Sequence, residues 1–300
     1  MKRSYRSRDP GCRGHRAARR GFTLLELLAV IFIIVIVVAI LLPTINRTDH
    51  DSSARVRCGS NLRQIGQAIL LYANENKGNY PRAFYAPGAP LTFSNDTTDG
   101  GRPRDPFGDK GLPGKVADND VTAAMFLLIR TQDITSEVFV CPSSNAEKDN
   151  FGTAAGANAM NKTAFTDWRK NMSYSLANPY PANAVVEAGY KWNNTLGAEF
   201  AVAADINPGV GDGYDVTLPT ENSSSKDMQK ANSPNHQGGG QNVLYGDGHV
   251  EFQQNPFCGA KRDCIYTVAG TANGQPTTTS KTVVGSPTWA GDSVLLPALK

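Results

Sequence analysis

No Cys-x-x-Cys pair occurs among the five cysteines of this 300-residue chain, which removes the ligand spacing most common in structural zinc modules. No loop carries the fixed pattern of oxygen ligands of a calcium-binding helix-loop-helix. No side chain stands in a recognisable setting for a nucleophile, a general base or an oxyanion hole, so the sequence predicts a protein that is not an enzyme. Positive charge is scarce after residue 21. The formal charge is +3 overall, yet Lys2, Arg3, Arg6, Arg8, Arg13, Arg16, Arg19 and Arg20 precede that point against the single acid Asp9. Setting aside this +7 segment leaves −4 for residues 22–300, and a mildly acidic body offers no field for counterion release from nucleic acid.

Three hundred residues are enough for one sizeable domain with an anchor and a tail. Residues 22–42 read FTLLELLAVIFIIVIVVAILL, with one charge; as a helix they would rise about 31 Å, close to the roughly 30 Å hydrocarbon layer of a bilayer. A secretory signal peptide has a shorter apolar core followed by a small-residue cleavage site, and PTINRTDH at residues 43–50 supplies none. The prediction is a single transmembrane helix over residues 22–43. Eight basic residues before the span against three in the 20 after it keep the amino terminus cytoplasmic by the positive-inside rule. Within the run Glu26 is the anomaly, because an ionisable group in lipid is costly and marks function.

The residues Arg19-Arg20-Gly21-Phe22-Thr23-Leu24-Leu25-Glu26-Leu27 resemble the processing site of type IV prepilins and of the pseudopilins of type II secretion systems. The resemblance implies removal of a basic leader, residues 1–21, by an inner-membrane prepilin peptidase that cuts after Gly21. It further implies N-methylation of Phe22, a structural role for Glu26, a helix kink at Pro43, and an extracytoplasmic domain on the periplasmic side of a bacterial inner membrane. The chemistry fits: glycine before the cut leaves the backbone unobstructed, and the new cation on Phe22 can neutralise Glu26 of a neighbouring subunit, pairing two charges that would otherwise be isolated in lipid.

Beyond the span, Ala54, Cys58, Leu62, Ile65, Ile69 and Tyr72 recur at helical steps and predict an amphipathic helix over about residues 53–77, stopped near Asn76 to Gly78 with Pro81 beyond. Arg57-Cys58-Gly59-Ser60-Asn61-Leu62-Arg63-Gln64-Ile65-Gly66, then Asn79-Tyr80-Pro81 and Phe139-Val140-Cys141-Pro142-Ser143, resemble a group of pilin-like proteins abundant in planctomycete-type bacteria. Residues 83–115 are rich in Gly, Pro and Asp and read as a surface loop. Residues 120–131 read as a short helix covering one edge of the domain, and residues 137–140 as strand-like. Strands are predicted at residues 172–177, 185–192, 200–204, 241–245 and 249–252. The expected architecture is α+β and pilin-like: a long N-terminal helix, half transmembrane, packed on an antiparallel sheet within residues 44–268, followed by a Thr/Gly/Ser-rich extension at residues 269–300 whose end, residues 289–299, regains apolar character and can dock on the sheet.

The run from Asn235 to Val250 resembles the carboxy-terminal signature of that same group, a histidine separated by nine residues from Asp-Gly; here ten residues separate His236 from Asp247-Gly248. Physically, Asp247-Gly248 between two strand-like runs is a tight-turn signal, with His236 and Asp247 holding a loop by hydrogen bonds. The competing reading is a metal or catalytic site of His236, Asp247 and His249, a chemically competent ligand set. Calcium is a further option, through Asp205, Asp212, Asp215 and Asp247 near glycine-rich turns. Four cysteines lie outside the leader and permit three pairings, which sequence cannot choose between. The preferred pairs are Cys58 with Cys141 and Cys258 with Cys264; free thiols and zinc are the alternatives.

The expected function is therefore assembly: a pseudopilin-like filament subunit whose partners are prepilin peptidase, other pilin-like subunits, the inner membrane and secreted cargo, with no nucleic acid. The alternatives are a monomeric membrane-anchored binding protein and a metal-dependent enzyme centred on His236.

Overall fold

Hydrophobic residues are arranged differently at the two ends of this chain, and the structure separates accordingly into two units, Met1–Asp49 and His50–Lys300. The computed structural model describes residues 22–41, 48–98, 107, 115–153, 157–272, 275–277 and 280–299. The leader, Gly21, Leu42, Pro43 and most of residues 99–114 lie outside the described residues.

In the first unit, α1 (Leu24–Leu41) is apolar on every face, and residues 22–39 are exposed throughout. Among the described residues no helix is long and apolar enough to cross a membrane. The 18 residues of α1 rise about 27 Å, short of the roughly 30 Å that a hydrocarbon layer requires.

The second unit is mixed helix and antiparallel sheet. Its helix α2 (Thr48–Glu75) buries most of the predicted stripe, with Ala54, Cys58, Leu62, Ile65 and Ile69 all within 5% of full burial and Tyr72 partly buried. Burying side chains such as Leu62, Ile65 and Ile69 contributes about 1.5–3 kcal/mol each. The helix ends where Lys77 (φ 57°) and Gly78 (φ 85°) turn left-handed and the Gly78 N–H donates to the Ala73 carbonyl at 2.8 Å, the usual glycine stop. Helix α3 (Val121–Thr131) starts at Asp120, whose Oδ1 accepts from the Ala123 N–H at 2.9 Å. Residues 121–129 are all buried, so α3 runs through the interior and does not cover an edge; a helix apolar on all sides belongs there.

Short elements follow: α4 (Trp168–Asn171), β1 (Tyr174–Ala177), α5 (Asn183–Glu187), β2 (Ala201–Asp205), β3 (Val210–Gly211), β4 (Tyr214–Asp215), α6 (Ser225–Ala231), β5 (Gln241–Tyr245), β6 (Val250–Gln253), β7 (Gly270–Ala272), β8 (Gln275–Thr277) and β9 (Leu295–Leu296). The main sheet has the order β6-β5-β2-β1-β9, antiparallel throughout. The fully buried patterns of β1, β2 and β5 are those of central strands with both faces covered. Strand β9 brings the carboxy-terminal residues back onto β1, pairing Leu176 with Leu296 and Ala177 with Leu295. Helix α2 meets β5 where Gly66 leaves room: a Cβ on Gly66 would lie 2.9 Å from Leu244 Cδ1.

One predicted strand and one strand-like segment are corrected. Residues 185–192 form the last turn of α5 and its exit, because Gly189 adopts φ 101° and its N–H donates to the Val186 carbonyl at 3.0 Å. Val185 faces in and Val186 faces out, which imitates strand alternation over only two residues. Residues 137–139 fall in a 3-10 turn, Ser136–Phe139, followed by Val140 in extended conformation; the first and last residues of the turn are its buried ones, as a three-residue period requires. The loop predicted from residue 83 is tied down in its described part. Asn119 bonds to Ala86 and Ala89, and Asp96 is buried, accepting from Thr98 and Thr163.

Candidate functional site

At the amino end the site is local. Thr23 precedes α1, and its Oγ1 accepts from the Glu26 N–H at 3.2 Å, while Glu26 Oε2 accepts from the Thr23 N–H at 3.4 Å. This is a reciprocal capping box, in which a hydroxyl and a carboxylate three residues apart satisfy each other's backbone donors. Its carboxylate also sits at the positive end of the helix dipole. The sequence reading paired Glu26 with the Phe22 ammonium of a neighbouring subunit and did not anticipate Thr23, although the Thr-x-x-Glu spacing was there to be read.

In the second unit the polar chemistry is buried. The segment Ser233-Pro234-Asn235-His236 forms a single 3-10 turn, capped by Ser233 with Pro234 at its first position and closed by Gln237 at φ 56°, a combination that favours a helical start. It delivers His236 to the end of β2, where His236 Nε2 lies 3.2 Å from Asp205 Oδ2, with both side chains fully buried. The Asp205 carboxylate also accepts from Asn235 Nδ2 at 3.1 Å, from the Asn242 N–H at 2.7 Å and from Asn242 Nδ2 at 3.2 Å. Its own carbonyl accepts from the Tyr266 hydroxyl at 2.7 Å. Asn242 Nδ2 is 3.3 Å and Cys141 Sγ 3.9 Å from His236 Nε2. The Phe252 ring stands edge-on to the imidazole at 5.8 Å, and Arg55 lies over that ring at 4.5 Å. Burial first, and then the Asp205 charge, push the phenols of Tyr174 and Tyr266 well above their usual range.

Cys58 and Cys141 form a disulfide with Cα atoms 5.3 Å apart, joining α2 to the segment after the 3-10 turn at Ser136–Phe139. The pairing of Cys258 with Cys264 is corrected: both are free thiols. The ring expected there is closed by the backbone, with Gly259 N–H donating to the Asp263 carbonyl and Ile265 N–H to the Pro256 carbonyl, each at 3.0 Å. The Cys258 thiol points at the Pro256 carbonyl, 3.8 Å away. Burial pushes the Cys264 thiol up to about 11, which keeps it protonated and unreactive.

Asp247, Gly248 and His249 are elsewhere. They make the β5–β6 turn, where the Gly248 N–H donates to the Tyr245 carbonyl at 2.9 Å and Gly248 takes φ 88°. Asp247 Oδ1 and His249 Nδ1 are 2.5 Å apart, each side chain about half exposed at 47%, and the imidazole stacks on Tyr245 at 4.5 Å. Hydrogen bonds from the His249 backbone and ring hold the Asp247 carboxyl below its ordinary value. Among the described residues the one group of metal-competent side chains is Cys58, Cys141, Asp205 and His236, so the structure does not gather His236 with Asp247 and His249. Nor do the four aspartates considered for calcium converge: Asp205 is in the buried cluster, Asp212 and Asp215 belong to the β3–β4 hairpin, and Asp247 to the β5–β6 turn. The partners of His236 were hidden from sequence reading because Asp205 and Asn242 come from neighbouring strands 37 residues apart. The one available signal was a lone charge closing the otherwise apolar strand AVAAD.

Residues 16–42 match the prokaryotic N-terminal methylation motif. This supports a pilin-like protein and implies processing by prepilin peptidase, pilin-like partner subunits and membrane anchoring. No curated protein and no solved structure matches the chain.

Proposed function

We propose that this chain is a structural subunit of a type II secretion-like or type IV pilus-like filament, a pseudopilin whose work is assembly and not catalysis. The match of residues 16–42 to the methylation motif carries the reading. Processing after Gly21 leaves Phe22 as a methylated cation and residues 22–43 as an anchor in the bacterial inner membrane, with the amino terminus cytoplasmic and the domain periplasmic. In lipid, the Phe22 ammonium of one copy and the Glu26 carboxylate of the next neutralise each other, which favours bundling of the helices. The mixed helix and antiparallel sheet of the second unit is compatible with a pilin-like domain, and the run from His236 to Gly248 with that of the planctomycete-type group. Cargo or partner subunits would meet this outer domain.

A second reading is favoured by the capping box. Because Glu26 is engaged with Thr23 of its own chain, the carboxylate has a use without a second copy, as in a monomeric anchored binding protein. Glu26→Gln separates the two, since glutamine preserves a capping box but carries no charge. The filament reading predicts cleavage and methylation at Phe22 by mass spectrometry together with loss of co-assembly by cross-linking. Co-assembly at wild-type level in the Gln variant would remove the charge pairing from the account.

A further inference from the structure

The buried cluster in the second unit holds two sulfurs, an imidazole nitrogen and a carboxylate oxygen from four separate elements. Cys58 comes from α2, Cys141 from the segment after the 3-10 turn at Ser136–Phe139, Asp205 from the end of β2, and His236 from the turn before β5. The four ligand atoms lie within 4.8 Å of one another and all four residues are buried. Tetrahedral zinc, with Zn–S of about 2.3 Å and Zn–N or Zn–O of about 2.0–2.1 Å, places nitrogen and oxygen ligands roughly 3.3 Å apart and sulfur and nitrogen roughly 3.6 Å apart. Here His236 Nε2 is 3.2 Å from Asp205 Oδ2 and 3.9 Å from Cys141 Sγ. Both edges are thus near their metal-bound lengths, and the two sulfurs are bonded to each other.

We propose that Cys58, Cys141, Asp205 and His236 form a zinc site when the disulfide is reduced, so that the same four elements are fastened by a sulfur–sulfur bond in one state and by a metal ion in the other. A water-soluble phosphine carries out the first step: it becomes phosphine oxide, water supplies the oxygen and two protons, and two thiols form. Zinc binding then releases both thiol protons to solvent, leaving Zn²⁺ with two thiolates, the neutral imidazole and the carboxylate. Asn235 Nδ2 and the Asn242 N–H already donate to Asp205, which orients the carboxylate as outer partners do in metal sites. The ligand set differs from the turn residues Asp247 and His249, and it lies wholly within the His50–Lys300 unit; it stands independently of any filament role.

The test uses the full chain in detergent, oxidised or phosphine-reduced, exposed to Zn²⁺ alone and passed over a desalting column before metal analysis. The oxidised chain should retain no zinc and the reduced chain one zinc per chain. Co²⁺ in place of zinc should give the thiolate charge-transfer band and strong visible absorption of a tetrahedral site. His236→Asn should lose the retained metal. Cys58→Ser/Cys141→Ser leaves Cys12, Cys258 and Cys264 in place and so reports any zinc those thiols take. Reduced wild-type chain that retains no zinc, whether folded or not, overturns the proposal. Equal retention by the double serine variant, or a cobalt complex without thiolate absorption, overturns it as well.

Discussion

The two units place their polar groups by opposite rules. In the first, residues 22–39 are exposed without exception, and among the described residues the Glu26 carboxylate is bonded to its own neighbour Thr23. In the second, Asp96, Lys162, Asp205, His236, Asp263 and Asp292 are all at most 3% exposed, and Asp96, Asp205 and Asp292 each collect several donors from the same unit. An apolar helix left uncovered by its own chain needs lipid or another helix to remove its surface from water. The second unit covers most of its own apolar residues and supplies the donors for these carboxylates from within itself. The difference teaches that the amino end is specified for contacts outside the chain and the rest for its own integrity, and each half of that statement can be broken separately.

The largest effect belongs to the junction. With the cut after Gly21 that we propose, Gly21→Leu should abolish processing outright, because a side chain there would obstruct the backbone that glycine leaves open. Mass spectrometry should then find the basic leader intact on all recovered chain. The His50–Lys300 unit should be indifferent, with an unchanged denaturant midpoint. Cleavage at the wild-type position in this variant would end the claim that the amino end is read by an external enzyme at that glycine.

The disulfide probes the other half. Its two cysteines are 83 residues apart in sequence, and the chain-entropy estimate for a loop of that length is about 4 to 5 kcal/mol. Cys58→Ser/Cys141→Ser should therefore lower the unfolding free energy of the second unit by that order in oxidising buffer, while Phe22 is still generated at the normal site. A loss below about 1 kcal/mol would mean that the burial of α2 alone holds the two segments together.

Asp205→Ala ranks next. It strips the acceptor from Asn235, from both donors of Asn242 and from His236. Breaking one side of such a buried network costs about 3 to 5 kcal/mol, because the partners stay buried and unpaired. Asp247→Ala removes a shorter contact to a histidine than the buried one, but in water at a turn, so its urea midpoint should coincide with that of the wild type. Equal losses in the two variants would erase the distinction between the buried and the exposed His–Asp pairs.

What the sequence made legible follows the same division. The amino-terminal chemistry is contiguous, so Gly21, Phe22 and Glu26 could be read as one motif, and the helical stripe from Ala54 to Ile69 announced which face of α2 is buried. Four of the five predicted strands correspond to strands of the main sheet. The fifth, at residues 185–192, misled because Val185 and Val186 carry β propensity while Gly189 ends a helical turn. The cluster around His236 was illegible because its members come from α2, β2, β5 and two loops. A side chain that is polar on the page becomes part of a buried network only once the sheet register aligns Tyr174 with Asp205 and the disulfide brings Cys141 beside it. Asp263 and Asp292 were likewise silent, lying in segments that read as a small disulfide ring and the apolar end of the carboxy-terminal extension.

That last pair yields the most specific effect. Asp292 accepts from the Thr288 N–H at 2.7 Å and from the Ala269 N–H at 3.1 Å, but burial outweighs these donors and raises its carboxyl to about 6. Asp263 is buried beside it, and burial, followed by the Asp292 charge, pushes the Asp263 carboxyl well above the usual carboxylate range. The folded protein therefore keeps a proton that the unfolded chain releases near pH 4. Stability from this pair is fully present below about pH 4 and falls as pH rises through the elevated range, by about 1.4 kcal/mol for each pH unit over which one extra proton is held. Asp96 acts in the opposite direction. Burial opposes its charge, but hydrogen bonds from Thr98 and Thr163 outweigh that and hold it at about 2, so its contribution is intact above about pH 4 and is lost below it. Urea midpoints measured from about pH 5 to pH 8 should decline in the wild type, and the decline should flatten in Asp263→Asn, which keeps a donor for Asp292 but has no proton to lose. A slope unchanged by that substitution would show that the shared proton is not what ties the second unit's stability to pH.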